Sequence, residues 1–208
     1  MARRTRADAK ATREALLDAA EELFFERGVA RSSLEQIARH AGMTRGAVYW
    51  HFRNKADLFL AMVERVRMPF HELVSEAAAT STHTSPLDAI LLGCERGFQR
   101  LEQPRYMRVH AILVHRCEFF SGVDPRDSQA AMARDCYNAV SEYMEDAHRQ
   151  QLLKPGIDPL TASQLMQAVI SGIFHDWVRD PQAYSIHQQG TRLVAAQLEL
   201  ISRQPLAA

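Results

Sequence analysis

The chain has 208 residues, 47 % of them apolar and 24 % charged, with 25 Lys and Arg balanced by 25 Asp and Glu. That composition belongs to a folded globular protein and excludes an intrinsically disordered one. No apolar run approaches the ~18 to 20 residues of a membrane span, and the basic start, MARRTRADAK, lacks the apolar core of a signal peptide. Three cysteines, Cys94, Cys117 and Cys136, are far apart and form no CxxC pair. Free thiols in a reducing cytoplasm are therefore expected, not a disulfide framework.

The zero net charge hides a division. Residues 1–67 carry 13 Lys/Arg against 9 Asp/Glu, a balance of +4, and residues 68–208 carry 12 against 16, a balance of −4. A polyanion partner would therefore meet the first third of the chain. Residues 1 to 8 read as a basic arm, either following a nucleic-acid backbone or entering its minor groove, or simply solvated. Helix formation is expected from Arg13 to Arg27, where Leu16, Ala20, Leu23 and Phe24 make one apolar stripe. Gly28 ends that helix.

The stretch from Ser32 to Lys55, SSLEQIARHAGMTRGAVYWHFRNK, reads as two short helices and the start of a third. Ser33 with Gln36, or Ser32 with Glu35, caps the first, and Gly42 supplies the turn. Thr44 caps the second, from which Val48 and Phe52 turn inward. Arg45, Gly46, Tyr49 and His51 project outward, and Trp50 is read as packing on a neighbouring helix. Asn54 caps the third, with Asp57 in its first turn. A helix, a glycine turn and a short polar-faced helix form the pattern that sets a recognition helix into the DNA major groove.

Further on, Leu58, Phe59, Met62, Val63 and Val66 face one side of a helix that Pro69 kinks or divides. Thr80 to Ser85 is a polar loop. Helices are then expected from Pro86 to about Leu101, from Pro104 through Cys117, and from Asp124-Pro125 to about Leu153. Two more follow, from Asp158-Pro159 to about Arg179 and from Ile186 to about Arg203. No segment alternates with period two, so the chain reads as all-α with about nine helices. A helix-turn-helix domain of 1–54 and a larger helical domain of 55–208 are expected.

The last two helices are apolar on more than one face. Leu165, Val169, Gly172, Ile173, Trp177, Leu193, Leu198 and Ile201 are candidates for a four-helix interface between two copies; the alternative is an ordinary monomeric core. Ala168 and Gly172, small and four apart, permit close backbone approach.

TRGAVYWHFRNKADLF is similar to the recognition-helix signature of the TetR family of repressors, and SSLEQIARHAGM and RRTRADAKATREALLDAAEELFFERGVA resemble the segments before it. The resemblance covers roughly residues 5 to 66. It implies a homodimer on palindromic double-stranded operator DNA. Tyr49, His51 and Lys55 would then contact phosphates, Ser33 and Thr44 would add hydroxyl or backbone bonds, and Gly46 would allow close approach. Arg45 is the base reader, because its fork matches guanine O6 and N7.

The resemblance also implies a small-molecule pocket in the second domain. Its candidates are Met62, Val66, Leu91, His110, Val114, Cys136, Val140, Met166, Ile170 and Phe174, each equally readable as core. RVHAILVHRCEFF and DCYNAV resemble the ligand domains of repressors of multidrug efflux pumps, which implies a lipophilic effector. Regulation of a metabolic or thiol-stress operon is the alternative.

Enzyme chemistry finds little support. His110 and His115 point apart on a helix, His175-Asp176 and Ser171 offer no nucleophile elbow, and no glycine-rich phosphate loop occurs. No catalytic residue, metal, cofactor or membrane partner is expected.

Overall fold

A computed structural model describes residues 6–78 and 85–206. The first residues of the basic arm and most of the Thr80 to Ser85 loop lie outside them. Ten α-helices follow in order: α1 (Arg6–Arg27), α2 (Leu34–His40), α3 (Arg45–His51), α4 (Lys55–Glu64), α5 (Phe70–Ala78), α6 (Pro86–Leu101), α7 (Pro104–Ala111), α8 (Pro125–Arg149), α9 (Pro159–Arg179) and α10 (Ile186–Ile201). Among the described residues no strand forms beyond two isolated bridges, Phe120–Val123 and Leu153–Ser202.

Two boundaries differ from the expectation. Helix α1 begins at Arg6, not Arg13, so residues 6 to 8 of the expected arm are helical; Ala and Lys favour helix there, and Asp8 complements the dipole of the first turn. Pro69 divides the fourth helix where a kink was the alternative. Its ring cannot extend α4, yet its carbonyl accepts from Glu72 and Leu73 N–H and so starts α5. That break accounts for the tenth helix. The helix expected from Pro104 through Cys117 also changes character, with a π-helical turn at Ile112–Arg116 after α7. Gln129 Nε2 donates to the Leu113 carbonyl within that widened turn, 2.9 Å away.

The packing forms two compact units, and they do not part at residue 54. The first comprises residues 1–67 and 108–129; the second comprises 68–107 and 130–208. In the first, α1 is the centre, touching α2, α3, α4 and the π turn. Leu16, Ala20, Leu23 and Phe24 are buried as expected, and so are Val48, Phe52, Leu58 and Phe59. The excursion 108–129 is tied in by charge. Glu21, 1 % exposed, accepts Arg108 Nε at 2.7 Å and Nη2 at 2.6 Å. Two guanidinium N–H groups on one carboxylate oxygen keep the buried charge compensated. Arg65 does similar work for two more exposed carboxylates, 2.5 Å from Asp18 and 3.3 Å from Glu14.

In the second unit α6 packs between α5 and α10, and α10 packs on α9. Ser85 and Asp88 cap α6 reciprocally, and Asp158 caps α9 by accepting the Thr161 N–H at 2.9 Å. Close approach falls at glycines other than the expected one. A Cβ on Gly93 would lie 2.7 Å from Phe70, and one on Gly190 would lie 2.9 Å from Phe98, whereas Gly172 faces open space within its own chain.

Burial lowers the pKa of the His110 imidazole from 6.5 to about 4. Between those values the unfolded chain takes up a proton that the folded chain refuses. This contribution to stability is therefore complete above about pH 6.5 and is lost as pH falls towards 4. In urea melts, His110→Gln should lose stability over that window less steeply than the parent, by up to about 1.4 kcal/mol per pH unit; parallel curves would refute it.

Candidate nucleic-acid interface

The site is built on three capped helices of the first unit. The cap of α2 takes the Ser33 register: Ser33 Oγ accepts the Gln36 N–H at 3.2 Å, and Gln36 Oε1 accepts the Ser33 N–H at 2.9 Å. Ser32 is buried and donates to the Gly28 carbonyl at 3.0 Å. This leaves Glu35 outside the capping box. At the other end of α2, Gly42 has φ +67°. The Met43 N–H reaches the Ala38 carbonyl at 2.8 Å and the Gly42 N–H reaches that of Arg39 at 3.1 Å. These two bonds make a Schellman turn, which fixes where the chain leaves α2.

Thr44 Oγ1 accepts the Ala47 N–H at 3.3 Å, and α3 begins. Val48 and Phe52 anchor it from below, both essentially inaccessible. Arg45, Gly46 and Tyr49 face outward, with the Arg45 guanidinium 5.5 Å above the Tyr49 ring. Tyr49 Oη donates to Glu35 Oε1 at 2.8 Å, and Arg45 Nε lies 3.4 Å from the same carboxylate. His51 is half-buried. Asn54 Oδ1 accepts the Asp57 N–H at 2.8 Å and caps α4.

Three residues depart from the expectation, the first being His51, expected to project outward but half-buried with its Nε2 enclosed. Trp50 does not pack on a neighbouring helix; it is 72 % exposed. Its ring meets His51 edge-on at 4.5 Å and borders a shallow hollow with Gly42, Met43, Thr44, Gly46 and Ala47. On a seven-residue helix with Val48 and Phe52 inward, position 50 falls on the outer side, and helical phase alone marks it. Lys55, expected on phosphates, turns inward. Its Nζ donates to the carbonyls of Val29 at 2.7 Å, Ala30 at 3.3 Å and Ser32 at 3.0 Å, beneath the Phe120 ring at 5.3 Å. Desolvation lowers its pKa, so the ammonium acts as a clamp on the loop between α1 and α2.

The ligand candidates divide between the units. Met62, Val66 and His110 are buried in the first, with Val114 half-buried there. In the second, Val140 and Met166 are buried, and Leu91, Cys136, Ile170 and Phe174 are half-buried. Burial raises the Cys94 thiol well above its ordinary value and moves Cys117 and Cys136 to about 11. All three are protonated at neutral pH and poor nucleophiles. Among the interface candidates, Leu165, Gly172 and Leu193 are exposed and Val169 is half-buried. Ile173, Trp177, Leu198 and Ile201 are spent in the protomer's own core. No described helix is long and apolar enough to cross a membrane.

The family model for bacterial regulatory proteins of the tetR family matches residues 16–62. That for the C-terminal region of MAATS-type transcriptional repressors matches residues 98–203. The chain is 31 % identical to the HTH-type transcriptional regulator TtgR of Pseudomonas putida, over 99 % of this chain and 98 % of the relative. The crystal structure of NalD, the secondary repressor of the MexAB-OprM multidrug efflux pump in Pseudomonas aeruginosa, aligns with a TM-score of 0.79 at 36 % identity; it covers 96 % of this chain and 100 % of that one. A complex of SmeT with triclosan aligns at 0.80 and 31 % identity, covering 95 % of each chain; SmeT is the repressor of the Stenotrophomonas maltophilia pump SmeDEF.

Replacing Lys55 with Met keeps the apolar stem but removes the donor shared by three carbonyls, of which only that of Val29 keeps a second one, the Ser32 N–H. Stability by urea melt should fall by about 1 to 3 kcal/mol, and an unchanged midpoint would remove the clamp.

Proposed function

The chain belongs to the TetR family of bacterial regulatory proteins, and on that premise we propose that it is a dimeric repressor of a multidrug efflux operon, released from its operator by a lipophilic ligand. The observation that carries the DNA-binding part is the outward face of α3. Arg45, Gly46, Tyr49 and Trp50 stand on a helix whose opposite edge, Val48 and Phe52, is wholly buried. Arg45 reads a guanine edge, while Tyr49, Trp50 and His51 lie along the backbone. Ser33 and Thr44 present helix N-termini, which attract phosphate. Lys55 acts indirectly, by holding the loop that leads into α2.

The efflux part rests on the relatives: NalD and SmeT are repressors of multidrug efflux pumps, and SmeT forms a complex with triclosan. Within the second unit we place the ligand contacts among Leu91, Cys136, Val140, Met166, Ile170 and Phe174. The protonated thiols favour an apolar ligand over the thiol-stress alternative. Ligand release of DNA requires only that the ligand bind the DNA-incompetent state more tightly; a tenfold change is about 1.4 kcal/mol of coupling. The dimer uses what α9 and α10 leave exposed, Leu165 and Gly172 on one and Leu193 and Leu200 on the other, with the half-buried Val169 beside them. Gly172 and Ala168 let the partner helix approach. The protein works in the cytoplasm, with its operator.

Duplex DNA flanking the chain's own gene should be retarded in a gel-shift assay and released by triclosan. Arg45→Ala should narrow operator-over-random preference by about 1 to 3 kcal/mol. Equal losses on both duplexes would refute base reading. For the dimer, Leu165→Glu should sediment as a monomer and bind operator at least tenfold more weakly; an unaltered dimer would overturn this interface.

A further inference from the structure

Glu35 is the charge on the α3 surface that DNA binding does not explain. It stands in the first turn of α2, and the capping box there is completed by Ser33 and Gln36 without it. Its carboxylate is held by its own backbone N–H and the Ser33 hydroxyl, and it also collects the two polar groups that α3 turns outward. One oxygen accepts the Tyr49 hydroxyl at 2.8 Å and lies 3.4 Å from Arg45 Nε. Arg45 is stacked over the Tyr49 ring at 5.5 Å. Nothing buries this trio, since the Arg45 side chain is 74 % exposed and Tyr49 is 43 % exposed. The hydrogen bond from Tyr49, its largest influence, helps hold the Glu35 carboxyl below the usual carboxylate range, so it is ionised at neutral pH.

A carboxylate with an arginine and a phenol aimed at it has the donor arrangement that a phosphate oxygen would receive. With the Lys55 ammonium turned to backbone carbonyls, Arg45 is the one Lys or Arg within α3, and Glu35 is its ion-pair partner. We propose that Glu35 is an internal competitor for DNA: it holds Arg45 and Tyr49 in the free protein, suppresses binding to random sequence, and so sharpens discrimination. On random DNA a phosphate must displace the carboxylate and gains little. On the operator, the bidentate base contact of Arg45 adds enough to complete the exchange. The inference rests on the DNA-binding reading and assigns a specificity-determining role to a residue outside the recognition helix.

The test uses the full-length dimer, fluorescence anisotropy, and two labelled duplexes, one of random sequence and one from the DNA flanking the chain's own gene, from 25 to 200 mM KCl. Glu35→Gln keeps the size and an acceptor for Tyr49 but removes the charge. Glu26→Gln, at an exposed carboxylate in the last turn of α1, controls for net charge, and a thermal melt by circular dichroism checks the fold. Glu35→Gln should bind the random duplex about three- to tenfold more tightly at low salt, with a steeper salt dependence. Its preference for the flanking DNA should shrink, while Glu26→Gln changes neither. A Glu35→Gln protein equal to the Glu26→Gln control overturns the competitor role. Weaker binding to both duplexes also overturns it, since Glu35 would then be arranging Arg45 for DNA. If the unsubstituted protein binds neither duplex at 25 mM KCl, the DNA-binding reading itself fails, and the two failures are told apart by that first measurement.

Discussion

A helix of seven residues does not hold itself in water, and the structure depends on how α3 is held. Two turns of helix make too few hydrogen bonds to repay nucleation, so stability must come from outside the segment. It comes from three directions. Val48 and Phe52 sink into the α1 side of the first unit, the Schellman turn at Gly42 fixes the entry, and the Thr44 side chain satisfies a free N–H. Because the support lies on the inner edge and at the entry to the helix, the outer edge is free to carry Arg45, Tyr49 and Trp50.

The same economy runs through the rest of the first unit. The loop between α1 and α2 has no regular structure to satisfy its carbonyls, and Lys55, from the start of α4, does so with three donors. The excursion 108–129 belongs by packing to this unit although it lies in the middle of the chain. It is joined to α1 by the Glu21–Arg108 pair and to the loop by the Val29 N–H on the Arg116 carbonyl at 3.1 Å. A buried carboxylate without its guanidinium would cost several kcal/mol, so the pair makes the excursion's position specific.

What was legible in the sequence was short-range. Ser33, Thr44, Asn54 and Asp158 cap helices as expected because donor and acceptor lie three residues apart, and helical phase correctly turned Leu16, Phe24, Val48 and Phe52 inward. What was not legible joins distant positions. Lys55 looks like any basic residue beside a recognition helix until Val29 is brought near it. Glu21 looks like surface until Arg108, 87 positions away, arrives. Trp50 misled for a different reason: large aromatic side chains are usually packed, and composition outweighed phase. The apolar stripe of α9 held both the protomer's own core and an exposed face, and only the packing of α10 on α9 separates Ile173 and Trp177 from Leu165 and Gly172.

The chain has two tryptophans, and the fold assigns one to each unit. Trp50 stands 72 % exposed beside the proposed DNA contacts, and Trp177 is 2 % exposed in the second unit. Their indoles therefore sit in different surroundings, one in water and one in the packed interior. The protein thus carries a built-in pair of optical reporters, a red-shifted, quencher-accessible emitter on α3 and a blue-shifted, shielded one in the unit where the effector contacts are proposed, so events in either unit leave separate spectral marks without any label.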